Sequence, residues 1–251
     1  MKKLLLILIL TISFVNIQAQ GWWSLLSTVN IQDGLVHGYN FDESSGDAID
    51  FVGSSDATVV SCTRQQSTVT NLDYAYDFDG SNDEVQTNFN TAFDDFTIAA
   101  WIYVDVIDGG ATNRIISKPP GASSYIDFYI LNGGYLSFAH KFTTTTGVWR
   151  TTNSTISTGS WIHVAVSYNS GATTNNPIIY VNGVSQSLTE ITTPVGTGST
   201  DLSDYVIGSY TNSFNGKITQ CLFWEIIVDS AVPLALYKNG DGFNSDNWYT
   251  N

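Results

Sequence analysis

Oxygen ligands and stacking rings are the two chemistries that this sequence spaces closely enough to use. Asp42, Glu43 and Asp47 form one acidic turn, Asp50 and Asp56 bracket a second, and Asp77, Asp79, Asn82, Asp83 and Glu84 form a third. A hard cation such as calcium takes about six to eight oxygens. The same residues also close β-turns through Asx hydrogen bonds, so the acids read equally as turn caps. Tyr125, Trp149 and Tyr210, with Asn212, fall in turns or at strand starts. A ring exposed there stacks on the C–H face of a sugar while amides read its hydroxyls, which makes these four the candidate ligand-binding residues.

Other chemistries lack their residues. Hydrolysis of a glycosidic bond needs two carboxylates about 5 to 9 Å apart, and no E-x-D-x-x-E or E-x-D-x-E string places such a pair on one strand face. Glu225 stands before Ile226, Ile227 and Val228, which reads as a strand end, and Asp94-Asp95 reads as a turn. His37, His140 and His163 have neither a nucleophile elbow nor a cysteine near them in sequence, so they read as packed or hydrogen-bonded strand residues. Gly109-Gly110 and Gly133-Gly134 precede no helix and cradle no phosphate. The expectation is a protein without catalytic residues.

The elements that must position these groups are strands. From Trp161 the chain reads W-I-H-V-A-V-S-Y with a period of two, then a polar turn N-S-G-A-T-T-N-N-P, then I-I-Y-V-N-G-V. Asn182-Gly183 suits a two-residue turn with positive φ. Similar short runs recur at 35–41, 57–60, 75–78, 84–87, 96–104, 113–118, 125–131, 135–140, 148–151, 204–207 and 215–224, with helical spacing only over 230–237. This predicts an all-β, two-sheet antiparallel sandwich.

Composition sets the surroundings. Lys2 and Lys3 precede an apolar run from Leu4 to Val15 and a small residue at Ala19, which reads as a signal peptide over 1–20, too short for a comfortable membrane span. Secretion or display at a cell surface follows. With 23 Asp and Glu against 9 Lys and Arg, the net charge of −14 disfavours nucleic acid and anionic membranes as partners. Residues 21–32 read as a lead-in whose Trp22, Trp23, Leu25 and Leu26 suit self-assembly, 33–240 as one domain, and 241–251 as a tail. Cys62 and Cys221, bound for an oxidising compartment, would close a loop of about 160 residues if bridged, and otherwise read as two buried thiols.

Five motifs, in order, resemble the laminin-G-like branch of the concanavalin A-like lectin/glucanase superfamily. They are G-L-V-H-G-Y-N-F-D-E-S-S-G-D from Gly34, Y-D-F-D-G-S-N-D-E-V from Tyr76, F-T-I-A-A-W-I-Y from Phe96, W-I-H-V-A-V-S-Y with Y-V-N-G-V from Trp161, and I-G-S-Y with F-N-G-K-I-T from Ile207. The resemblance implies a jelly roll and one structural calcium near Asp50-Phe51-Val52-Gly53, with Asp56 close by. It also expects carboxylates after Gly216-Lys217-Ile218, where this chain has Thr219-Gln220. The function implied is non-catalytic recognition of a polysaccharide or glycoprotein glycan. The alternative is a structural or adhesion subunit of a cell-surface, filament or virion assembly, using the same sandwich for contacts with a surface protein.

Overall fold

The structure, a computed structural model, describes residues 29–107, 113–118, 126–199, 203–208 and 213–243. The chain divides into two compact units, Met1–Ile31 and Gln32–Asn251, and the second carries every element described below. Its strands are β1 (Leu35–Tyr39), β2 (Thr58–Val60), β3 (Thr63–Gln66), β4 (Tyr74–Asp79), β5 (Glu84–Gln86), β6 (Asp95–Val104), β7 (Asn113–Ser117) and β8 (Ile126–Leu131). They continue with β9 (Tyr135–His140), β10 (Gly147–Thr151), β11 (Trp161–Asn169), β12 (Ile178–Val181), β13 (Val184–Ser185), β14 (Leu188–Thr192), β15 (Val206–Ile207) and β16 (Asn215–Trp224). One helix, α1 (Ala231–Tyr237), follows β16.

Two antiparallel sheets result. The first runs β13-β12-β11-β6-β16-β4-β3, with β1 also paired to β16, and the second runs β14-β10-β9-β8-β7-β15-β5-β2. Alternate side chains of both fill the space between them, including Phe96, Phe128, Phe138, Trp149, Tyr168 and Phe223, each no more than 1% exposed. Burial of these rings is the main stabilising term, because apolar area removed from water contributes about 25 cal/mol per Å². The opposite face of the first sheet is covered in part by α1, where Trp101 stacks on Tyr237 at 5.8 Å and His163 meets Trp101 edge-on.

The sheets explain why the period-two segments form as predicted and why three strands escape the pattern. β3, β13 and β14 are edge strands whose residues are exposed or half-buried on both faces, so no alternation marks them. Asn182 and Gly183 take φ of 50° and 75°, as the two-residue turn requires. A Cβ at Gly183 would also lie 2.6 Å from the Cα of Leu234 in α1.

β16 changes neighbour halfway, from β4 at Asn215–Ile218 to β1 at Cys221–Trp224. A bulge between Thr219 and Leu222 marks the change, with Gln220 at φ 46°. Thr219 Oγ1 lies 3.0 Å from the carbonyl oxygen of Asn40 and 2.7 Å from that of Tyr74, where β1 ends and β4 begins. Carboxylates in place of Thr219-Gln220 would offer no such donor.

Cys62 and Cys221 are free thiols and not a disulfide, which corrects the bridged alternative. Cys221 belongs to the core at 0% exposure, and the Cys62 Sγ lies 3.4 Å from the carbonyl oxygens of Val60 and Glu84. Burial comes first among the causes that push the Cys62 thiol up to about 12, with Asp83 adding to it. Burial pushes that of Cys221 up as well.

Candidate functional site

A groove of 440 Å³ opens where β11 leaves the first sheet, lined by Ser167, Asn169, Thr174, Asn175, Asn176, Ile178 and Ile227. Five of these side chains are amides or hydroxyls. Ile178 and Ile227, 40% and 42% exposed, supply the apolar wall.

Local hydrogen bonds hold the polar residues in place. Asn169 Oδ1 accepts from the Gly171 N–H at 2.9 Å and from Asn175 Nδ2 at 2.6 Å, which folds the turn back on its own strand end. Asn169 Nδ2 donates to Asp95 Oδ1 on β6. Asn176 Oδ1 accepts from the indole N–H of Trp149 at 2.8 Å, so the turn is also tied to the second sheet. Thr97 Oγ1 lies 2.9 Å from Ser167 Oγ, 2.8 Å from the carbonyl of Ile226 and 3.2 Å from the N–H of Val228, and these two backbone bonds flank Ile227. Such a surface can read sugar hydroxyls through amides while the isoleucines cover C–H faces.

Of the residues expected to bind ligand, Trp149 is 1% exposed and packs against Phe138 and Tyr168 at 6.3 and 5.3 Å, so it offers no ring face to a ligand. Its role is to position Asn176. Tyr125, Tyr210 and Asn212 lie outside the described residues, as do Trp22, Trp23, Leu25 and Leu26. Four of the groove residues, Asn169, Thr174, Asn175 and Asn176, sit in N-S-G-A-T-T-N-N-P, which reads in sequence as a plain hairpin connection. Its signal was its length, since hairpin loops usually take about 2 to 5 residues, together with the density of amides.

Asp50 has a different role from the metal ligand implied for it. Its Oδ1 accepts from the N–H groups of Gly38, Val52 and Gly53 at 3.0, 3.3 and 2.9 Å, and Oδ2 meets the Ser55 N–H at 3.2 Å and His37 Nδ1 at 2.6 Å. Burial alone would raise the Asp50 pKa, but the bonds from His37, Gly38, Gly53 and Ser55 outweigh it and hold the carboxyl at about 2. An ionised acceptor places the shared proton on His37 Nδ1. Asp56 Oδ1 accepts from the Asp50 N–H at 2.9 Å. A Cβ at Gly53 would stand 2.5 Å from Asp50 Oδ2 and 2.9 Å from His37 Nδ1, which is why glycine occupies that position. With five donors on its two oxygens, Asp50 does not fit as a calcium ligand. Among the described residues no group of three or more His, Cys, Asp or Glu converges as a metal site.

His140 and His163 are buried, and burial holds their pKa values near 4 and 3. One acidic relationship was invisible in sequence: burial, with the charge of Asp73 next, pushes Asp42 up to about 6. No helix among the described residues is long and apolar enough to cross a membrane.

A family model described as the concanavalin A-like lectin/glucanases superfamily matches residues 79–231, more than half of the chain. No curated protein matches. Among solved structures, domain 4 of an extracellular arabinanase from Geobacillus stearothermophilus, in complex with arabinotriose, is similar at TM-score 0.60 and 16% identity, over 80% of this chain and 96% of that one. The receptor-binding domain of botulinum neurotoxin D is similar at TM-score 0.62 and 14% identity, over 83% of this chain and 53% of that one. Trypanosoma rangeli sialidase gives TM-score 0.58 and 13% identity, over 83% of this chain and 34% of that one. The chain thus spans nearly all of the arabinanase domain, about half of the toxin domain and a third of the sialidase.

Proposed function

Because this chain belongs to the concanavalin A-like lectin/glucanase superfamily, we propose that it is a secreted, non-catalytic carbohydrate-recognition module that holds a polysaccharide or glycoprotein glycan. The groove lined by Asn169, Thr174, Asn175, Asn176, Ile178 and Ile227 carries this reading, because it joins hydroxyl-reading amides to an apolar wall. The likeness to an arabinanase domain solved with arabinotriose supports it.

Retention on immobilised polysaccharides and a glycan array tests the reading. The Asn175→Ala, Asn176→Ala double variant is expected to lose at least about tenfold in retention, a loss of two or more hydrogen bonds to ligand, while circular dichroism shows the sandwich still folded and the melting midpoint falls modestly with the lost bonds to Trp149 and Asn169. Unchanged retention sinks the groove as the site. Release of reducing sugar by the wild-type chain contradicts the non-catalytic part. The second reading, an adhesion or structural subunit, draws on Val184 and Leu234, 60% and 49% exposed at the β12–β13 turn and the helix beside it. Absence of glycan retention together with self-association that Val184→Ser, Leu234→Ser abolishes favours that reading.

A further inference from the structure

The outer face of the second sheet carries a separate polar feature. Strand register places Arg114, Tyr129, Ser137, Arg150 and Thr189 in one row across β7, β8, β9, β10 and β14. Alternation turns this row away from the core residues Phe128, Phe138 and Trp149. The two arginines of the row differ in how their charge is answered. Arg114 Nε lies 2.9 Å from both oxygens of Asp127.

Arg150 has no such partner among the described residues. Its guanidinium carbon lies 4.3 Å from the centre of the Tyr135 ring, its Nε is buried without a hydrogen-bond partner, and its charge is absent from the ion pairs of the described residues. Acids outnumber bases 23 to 9 in this chain, so a carboxylate neighbour is what chance would supply. Arg64 repeats the stack on Tyr74 at 3.9 Å, but it lies within reach of the charge of Asp42. A guanidinium braced on a ring, with its Nε buried and no ion-pair partner among the described residues, has the N–H groups of its two terminal nitrogens left to offer a carboxylate.

We propose that Arg150, held by Tyr135, anchors a carboxylate on the ligand, and that this ligand is an otherwise neutral glycan bearing isolated acidic sugars. The limit to isolated carboxylates follows from the net charge of −14, which repels a polyanion at long range but acts weakly on a single charge. The inference rests on the carbohydrate-recognition reading and adds a contact outside the groove. β10 serves both: Trp149 points inward to hold Asn176, and its neighbour Arg150 points outward.

The test uses an array of glycan pairs that differ only in one terminal sugar, neutral or its uronic acid, together with a polyuronate. Wild type, Arg150→Gln and Arg150→Lys are compared at physiological salt, with circular dichroism to confirm the fold. The wild type is expected to retain the carboxylated member about tenfold more strongly than its neutral partner, as a charge-assisted hydrogen bond supplies. Arg150→Gln is expected to erase the preference while neutral retention stays, and Arg150→Lys to restore part of it. Equal retention of both members by the wild type, a preference that survives in Arg150→Gln, or strongest retention of the polyuronate overturns this inference alone. Retention of no glycan overturns the carbohydrate reading and this inference with it.

Discussion

The indole N–H of Trp149 donates a 2.8 Å hydrogen bond to the side-chain oxygen of Asn176. Through it a fully buried ring of the second sheet positions an exposed amide on a turn of the first. Trp149→Phe keeps most of the packing against Phe138 and Tyr168 but removes the donor. The expected cost is about 1 to 2 kcal/mol from the lost bond and the smaller ring, read as a lower urea midpoint. Glycan retention should fall as well, in parallel with Asn176→Ala. Full retention in Trp149→Phe would separate the tether from binding.

Asp50 organises the loop between β1 and β2. Asp50→Asn replaces one carboxylate oxygen by an NH2 group that confronts at least two of the five donors, the Ser55 N–H and His37 Nδ1 on the Oδ2 side, and the expected loss is about 2 to 3 kcal/mol of stability. Because the folded pKa of about 2 lies below the ordinary aspartate value of 3.8, the contribution of Asp50 is complete above pH 3.8 and is lost as the pH falls toward 2. Melting midpoints of the wild type in calcium and in chelator are expected to coincide. A calcium-dependent rise that Asp50→Asn abolishes would restore the metal assignment.

His163 and His140 should make the protein acid-sensitive. Both have folded pKa values below 6.5, near 3 and 4, so the unfolded chain takes up protons that the folded chain refuses. Stability therefore falls as pH drops below 6.5 toward the folded values. For His163→Leu, the slope of stability against pH between about 6 and 4 should be shallower than in wild type by about 1.4 kcal/mol per pH unit. Comparing slopes removes the carboxylates, Asp42 and Asp127 among them, because they titrate in both proteins. Identical slopes would place a proton on His163 in the folded state.

The two thiols give a chemical test of the core. Native protein should resist iodoacetamide, since thiolate is the reactive form and burial pushes Cys62 up to about 12. Unfolding in urea without reductant should expose two alkylatable thiols per chain, counted by mass. A requirement for reductant would mean that Cys62 and Cys221 are joined.

Local sequence determined which segments are strands, because burial of one strand face writes a period of two into residues such as Ile162, Val164 and Val166. It also marked the Asn182-Gly183 turn, where backbone sterics admit few residues. It was silent on β3, β13 and β14, since an edge strand exposed on both faces needs no alternation. Tertiary structure alone decided the roles of the polar residues. An aspartate reads the same whether it caps a turn, ligates a metal or clamps a loop, and only the five donors that converge on Asp50 distinguish these. Trp149 likewise reads as an exposed stacking ring or as a core ring until strand parity is joined to sheet packing. The groove and the unanswered charge of Arg150 arise from residues that meet across strands, and no single stretch of chain contains that information.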